Sequence, residues 1–285
     1  VSNLSAQIQS AFAAMRRIVI LLEEPEEIAE ATEPIHLKKA VGNVSFEHVR
    51  FGYGKEAVIK DFSVEVKAGQ MIAIVGPTGA GKTTLINLLE RFYDVNGGAI
   101  KIDGVDIRRL SKKQLRGAIG QMQQDVFIFE GDVEYNIRLH NEDITLEDVK
   151  EAAEYVNASR FIEKLPGGYR EPVSERGATF SAGERQLLSF ARTLAHKPSI
   201  LVMDEATANI DTETELLIQE ALEKLMRGRT TIMVAHRLST IQHADCIMVM
   251  HKGKIRERGT HQELLSQDGI YKKLYELQIR HGVTA

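Results

Sequence analysis

The 285-residue chain contains a single cysteine, Cys246. One thiol cannot close an internal disulfide, so a disulfide-stapled scaffold is excluded and a reducing compartment is expected. Long apolar runs are also missing. The strongest early stretch, residues 18–22, lies between Arg17 and Glu23 and falls far short of the roughly 20 residues that a membrane helix needs. The start lacks the basic, apolar and small-residue parts of a signal peptide. There is no basic excess either. Lys and Arg number 36 against 40 Asp and Glu, a formal charge of −4, which argues against a nucleic-acid partner. Repeats and low-complexity tracts are absent. With 43% hydrophobic and 27% charged residues, the composition is that of an ordinary globular chain rather than a disordered one. Length alone predicts roughly two domains. Position 1 is Val rather than Met, so the chain is expected to be a piece of something longer.

What is present changes character along the chain. Leu4, Ile8, Ala11, Phe12, Met15, Ile18, Val19 and Leu22 recur at helical spacing and predict an amphipathic helix. The acidic stretch Glu23-Glu24-Pro25-Glu26-Glu27 and then Pro34 predict a linker. From Val44 the period becomes two: Phe46, then Val49, Phe51 and Tyr53, then Phe62, Val64 and Val66 predict half-buried antiparallel strands. Continuous apolar runs at residues 71–75, 200–203, 232–235 and 247–250 follow, with helical patterns between them. This is the signature of a mostly parallel α/β sheet. Residues from about 125 to 195 look helical, with Thr145 and Asp148 spaced as a capping box and a break at Pro166-Gly167-Gly168. They predict a helical subdomain inserted in the α/β body.

Gly76-Pro77-Thr78-Gly79-Ala80-Gly81-Lys82-Thr83 fits the phosphate-loop pattern G-x-x-x-x-G-K-[ST]. It follows an apolar strand and opens a helical run, residues 84–92, beginning at Thr84. Glycines let backbone N–H groups turn toward phosphate oxygens, and the helix N-terminus adds positive potential. Lys82 is expected to reach the β- and γ-phosphates of ATP, and the Thr83 hydroxyl to ligate Mg²⁺. The bland alternative is a glycine-rich turn with an incidental lysine.

In open α/β sheets ligands bind beyond the carboxyl ends of the strands. The run at 200–203 ends in Asp204-Glu205, expected to be a carboxylate for the Mg²⁺ side followed by a general base, with a solvated acid opening the next loop as the bland alternative. The run at 232–235 ends in His236; a lone histidine is usually structural, but at the end of a strand in this sheet it is expected to donate to a γ-phosphate. The run at 118–123 ends at Gln124-Asp125, and a glutamine there can orient water or contact Mg²⁺.

With these residues in place, residues 41–280 resemble the nucleotide-binding domain of exporter-type ATP-binding cassette (ABC) transporters. The resemblance implies a P-loop NTPase fold with an antiparallel β subdomain and the inserted helical subdomain. Phe180-Ser181-Ala182-Gly183-Glu184 takes the place of the family's L-S-G-G-Q signature, which makes Ser181 and Gly183 nucleotide contacts. By the same resemblance Tyr53 stacks on adenine and Gln124 is the glutamine of the Q-loop. His236 is the switch histidine, and Asp211 closes the D-loop Ala208-Asn209-Ile210-Asp211. Val173-Ser174-Glu175-Arg176-Gly177 looks like the exporter segment that touches the transmembrane part. Residues 1–40 look like the end of the last transmembrane helix and its linker, with 41–285 forming the domain. The family mechanism implies two such domains head to tail, with ATP and Mg²⁺ between the phosphate loop of one and the signature of the other. The site would lie at the cytoplasmic face of the membrane, with this fragment alone soluble.

The signature departs from the family at Phe180, Ala182 and Glu184, whereas Lys82, Asp204, Glu205 and His236 match. Glu184 keeps the cap spacing of Ser181 but brings a negative charge toward a triphosphate. The mixture resembles one half of a heterodimeric multidrug exporter, with a tolerant homodimer as the rival. Two other functions stay open. One is a soluble ABC-type ATPase acting on DNA ends or ribosomes, which apolar spans upstream of Val1 would exclude. The other is a regulatory module without hydrolysis, which phosphate release would exclude. Drug, lipid and peptide cargoes are equally compatible with this chain.

Overall fold

The computed structural model describes residues 2–24, 28–37, 39–122, 126–174, 177, 179–204, 212–234 and 241–282. The chain divides into two compact units, Val1–Glu30 and Ala31–Ala285. In the first, helix α1 (Ser2–Leu22) carries the predicted stripe, and Leu4, Ile8, Phe12, Met15, Ile18 and Leu22 are all exposed. No helix among the described residues is long and apolar enough to cross a membrane.

The second unit begins with strands β1 (Val44–Phe51), β2 (Ile59–Val66) and β3 (Met71–Val75), followed by helix α2 (Lys82–Leu89). Strands β4 (Gly97–Ile102) and β5 (Val105–Asp106), helix α3 (Lys112–Ala118) and strand β6 (Ile119–Met122) come next. A mainly helical stretch then runs through β7 (Gly131–Asp132), α4 (Val133–Arg138), α5 (Leu146–Tyr155), α6 (Ser159–Ile162), β8 (Pro172–Val173) and α7 (Ala182–Ala195). The chain returns to the sheet with β9 (Ile200–Asp204), α8 (Thr212–Met226), β10 (Thr230–Val234), β11 (Cys246–His251) and β12 (Lys254–Gly259), and ends in α9 (His261–Ser266) and α10 (Ile270–Gly282).

Ten strands form one mixed sheet in the order β5-β4-β1-β2-β12-β11-β3-β10-β9-β6. Neighbours from β11 to β6 pair in parallel, and those from β5 to β2 pair antiparallel. The two halves therefore follow the two periodicities of the sequence. Alternate residues of β3 serve different cores. Ile72 and Ile74 pack with Leu85, Leu88 and Leu89 of α2 and with Phe46 and Phe62 of the antiparallel half. Ala73 and Val75 pack with Leu188 and Phe190 of α7 and with Ile218 and Leu225 of α8. Burial on both faces is why the parallel strands read as unbroken apolar runs.

The break in the two-residue period between Phe46 and Val49 is a bulge. The β1 register shifts there, His48 takes φ 48°, and Val49 returns to full burial. The predicted helix at 84–92 is shorter at its end, because Arg91 adopts φ 54° and halts it after Leu89. At the C-terminus Tyr271 fills the core, while Leu277 is 53% exposed. The capping box at Thr145 and Asp148 is present and starts α5. Ile35, Leu37, Val41, Gly42 and Asn43, ahead of β1, are pinned to the body. Ile35 N donates to Arg109 O, Gln114 Nε2 to Leu37 O, and the Asp103 carboxylate accepts from the amides of Val41, Gly42 and Asn43.

Glu90 stands at the C-terminal end of α2, only 4% exposed, and among the described residues neither carboxylate oxygen has a hydrogen-bond partner. Burial raises its pKa from 4.5 to about 7, partly opposed by the positive charge of Arg116. The folded-state value lies above the unfolded one, so the native state favours the proton. The cost is absent below pH 4.5, grows as the pH rises, and is complete above pH 7. Its ceiling is about 3 kcal/mol at 1.36 kcal/mol per unit. Glu90→Gln is expected to stabilise the domain at pH 8 by about 1–2 kcal/mol and to flatten the pH dependence of urea unfolding between pH 5 and 8. An unchanged slope would show that Glu90 is not what titrates.

Candidate nucleotide site

The site is built on the loop between β3 and α2. Three of its glycines have positive φ: Gly76 (152°), Gly79 (78°) and Gly81 (101°). At Gly76 a Cβ would run into Met250 O, and at Gly81 it would come within 2.6 Å of Ile59 Cδ1. The backbone is therefore pressed against the body where only glycine fits. Ala80 N donates to Pro77 O at 3.1 Å and closes the turn. Among the described residues no side chain caps α2, whose N-cap is Gly81, and the positive end of the helix faces the loop, where it favours an anionic ligand. Lys82, 6% exposed, lies back along the loop, with Nζ donating to Gly76 O at 2.8 Å and to Pro77 O at 3.2 Å.

Strand pairing brings the second component in. β9 and β10 run parallel, with Val234 opposite Asp204, and β10 lies beside β3. The Thr83 hydroxyl donates to Asp204 Oδ2 at 3.5 Å. Residues 121 positions apart thus place two hard oxygen donors side by side. Among the described residues no three His, Cys, Asp or Glu cluster as a metal cage. The pair fits Mg²⁺, which is commonly held by one or two protein oxygens plus phosphates and waters. When bound there, the ion would neutralise phosphate charge.

Tyr53 departs from the sequence expectation. β1 ends at Phe51, and Gly52, whose amide donates to Asn96 Oδ1 at 2.8 Å, turns the chain out of the strand. Tyr53 is therefore no packed strand residue but is 54% exposed. Its ring meets Phe51 and Tyr93 edge to face at 5.0 Å each. Its hydroxyl donates to Thr84 Oγ1 at 3.3 Å and accepts from Asn87 Nδ2 at 3.4 Å. Thr84 thus holds Tyr53 on α2. Tyr93 and Asn87 were invisible to sequence reasoning, since nothing in their spacing links them to residue 53.

The signature residues stand elsewhere, at the start of α7, which packs on α4, α5 and α8. Ser181 is the N-cap: its Oγ accepts from Glu184 N at 3.2 Å, and its own N–H donates to Glu184 Oε2 at 2.8 Å. Gly183 is buried in the first turn. The same helix reaches back toward the segment following Gln124. Arg192 donates to Asn136 O at 2.8 Å and Phe127 O at 3.0 Å, and Asn136 bonds both backbone groups of Phe129. Burial lowers the Arg192 pKa to about 10. Gln124, Glu205, Asp211 and His236 lie outside the described residues.

The family model described as ABC transporter matches residues 59–208, from β2 through Asp204 and just beyond. The chain belongs to the ABC transporter family. It is an ABC transporter ATP-binding domain, of a family that hydrolyses ATP. It is 49% identical over 276 residues to the ABC transporter ATP-binding protein exp8 of Streptococcus pneumoniae, covering 95% of this chain and 46% of that protein. It is 46% identical over 268 residues to a fatty acid ABC transporter ATP-binding/permease protein of Mycobacterium bovis, covering 94% of this chain and 42% of that one. A bacterial Atm1-family ABC exporter solved with ATP bound superposes with a TM-score of 0.84 at 39% identity, over 95% of this chain and 48% of that one. The chain spans about half the length, or less, of these relatives.

Removal of the N-cap oxygen leaves an orphan N–H at the start of α7. Ser181→Ala is expected to lower domain stability by about 1 kcal/mol, read by thermal denaturation. Glu184→Gln, which preserves the box, should leave the melting temperature nearly unchanged. Equal losses from both variants would contradict the cap assignment.

Proposed function

We propose that this domain powers export by binding Mg²⁺ and ATP between its own phosphate loop and the signature helix of a second domain, head to tail, and hydrolysing the γ-phosphate. The observation that carries the reading is the meeting of Thr83 with Asp204 at 3.5 Å, beside a glycine loop whose lysine runs along its carbonyls. Lys82 would turn to the β- and γ-phosphates, Tyr53 would stack on adenine, and Gln124 and His236 would contact the water and γ-phosphate. Glu205 is the general base that takes the proton of the attacking water. Ser181, Gly183 and Asp211 would serve the partner's nucleotide. Residues 1–40 would join the domain to transmembrane segments, placing it at the cytoplasmic face of the membrane. The relatives' names, permease and fatty acid transporter among them, support export without choosing a cargo.

Heterodimerisation is the favoured arrangement. Glu184 sets a carboxylate against the Ser181 amide at the N-terminus of α7, so its charge offsets the positive potential that a phosphate would use there. A glutamine would form the same box without that charge. The site completed by this signature would be the weaker of two, and the site completed by this chain's Lys82 and Glu205 the competent one.

Glu205→Gln should abolish steady-state phosphate release while retaining ATP binding and stabilising an ATP-bound dimer. Wild-type turnover in that variant removes Glu205 as the base. Glu184→Gln in the assembled transporter should tighten the nucleotide Kd at the site it faces by about tenfold, equivalent to about 1.4 kcal/mol, and raise occupancy there accordingly. Unchanged occupancy and turnover would leave the homodimer as the better account.

A further inference from the structure

The phosphate loop is held from outside by a hairpin that follows it by about 170 residues in the chain. β11 and β12 are joined by the two-residue turn Lys252-Gly253, both residues at positive φ (50° and 75°), with His251 opposite Lys254. This is the type I′ geometry that right-handed strand twist favours. The Gly253 peptide unit bonds in two directions. Its N–H donates to Ala80 O within the phosphate loop at 3.3 Å, and its carbonyl accepts from Lys60 N of β2 at 3.0 Å. A Cβ at Gly253 would collide with Val58 O, and Met250 O lies against Gly76 at the other end of the loop. Val58 and Ile59 in turn face Gly81. The loop is therefore gripped between the start of β2 and the β11–β12 turn. This is also where the two halves of the sheet meet: β12 pairs with β2 through Lys254 and Asp61.

We infer that Gly253 is a positioning residue for nucleotide binding, holding the phosphate loop in its cradle through the Ala80 carbonyl. Its role rests on the phosphate-loop reading above but makes a separate demand. Any side chain at Gly253 must push the turn away from Val58. The turn would carry its hydrogen bond to Ala80 with it, and the amides of residues 76–83 would lose their common aim. Overall stability would suffer as it does for any strained turn, but affinity for the triphosphate would suffer specifically.

A matched control exists in the same sheet. Asp103-Gly104, between β4 and β5, has the same pair of positive φ values (49° and 81°), and a Cβ on Gly104 would meet nothing within 4 Å. The test is isothermal titration of the 285-residue chain with Mg²⁺ and ATP at low temperature, using Gly253→Ala and Gly104→Ala. Both should lower the melting temperature, Gly253→Ala by more because its Cβ meets Val58 O. Gly253→Ala should weaken ATP binding at least about tenfold, while Gly104→Ala should stay within about twofold. Equal affinity losses, or near-wild-type affinity in Gly253→Ala, would overturn the inference alone. Wild-type protein that bound no ATP would overturn the nucleotide reading as well. Should Gly253→Ala not fold, hydrogen exchange on the wild type decides. ATP with Mg²⁺ should slow exchange in residues 250–256 and leave 103–106 unchanged, and no slowing in 250–256 would refute the role.

Discussion

Two-sided burial of the parallel strands is the constraint on which the site depends. A strand covered on both faces has no place for a charged side chain along its length, and tolerates a polar one only where it is hydrogen-bonded, as Thr230 and Thr231 are at the start of β10. In β3, β9 and β10 the side chains from Ile72 to Val75, from Ile200 to Met203 and from Ile232 to Val234 are all buried. Charged groups appear only where these strands stop. Because these neighbours run parallel and in register, they stop on the same edge, and their terminal residues are brought together. Asp204 meets Thr83 because β10 is shared by β9 and β3, although 121 residues separate the two.

The glycines of the phosphate loop follow from the same packing. The loop lies on the hydrophobic body rather than projecting into solvent. Met250, Val58 and Ile59 approach its backbone so closely that side chains are excluded at Gly76 and Gly81. What makes the loop rigid enough to present its amides is therefore as much the surrounding strands as the loop's own composition. Lys82 closes the arrangement by spending its donors on the loop's carbonyls.

At the start of α7 one residue satisfies the local demands of the helix end and also sets its charge. Glu184 completes a capping box as well as glutamine would, and the domain folds no worse for it. The same carboxylate carries a charge to the helix end that a triphosphate would approach. Folding and ligand preference thus make different demands on position 184, which is why a glutamate there is compatible with a well-capped helix.

Much of this was legible in the sequence because it is local. The periods of two and of continuous burial, the phosphate loop and both capping boxes depend on neighbours a few residues apart. Departures came where distant contacts decided. Tyr53 reads as the next step of β1's alternation, yet Asn96 captures the Gly52 amide and turns the chain out, and α2 then takes the Tyr53 hydroxyl. The role of Asn136 and Arg192 in fixing Phe127 and Phe129 carries no spacing signal at all. Gly253 reads as an ordinary turn glycine. The sequence by itself determined which chemistry the chain carries, since that depends on residue types at short fixed spacing. Only the tertiary structure decided which residues hold that chemistry in place, because strand order and burial, not spacing, set what lies against the phosphate loop.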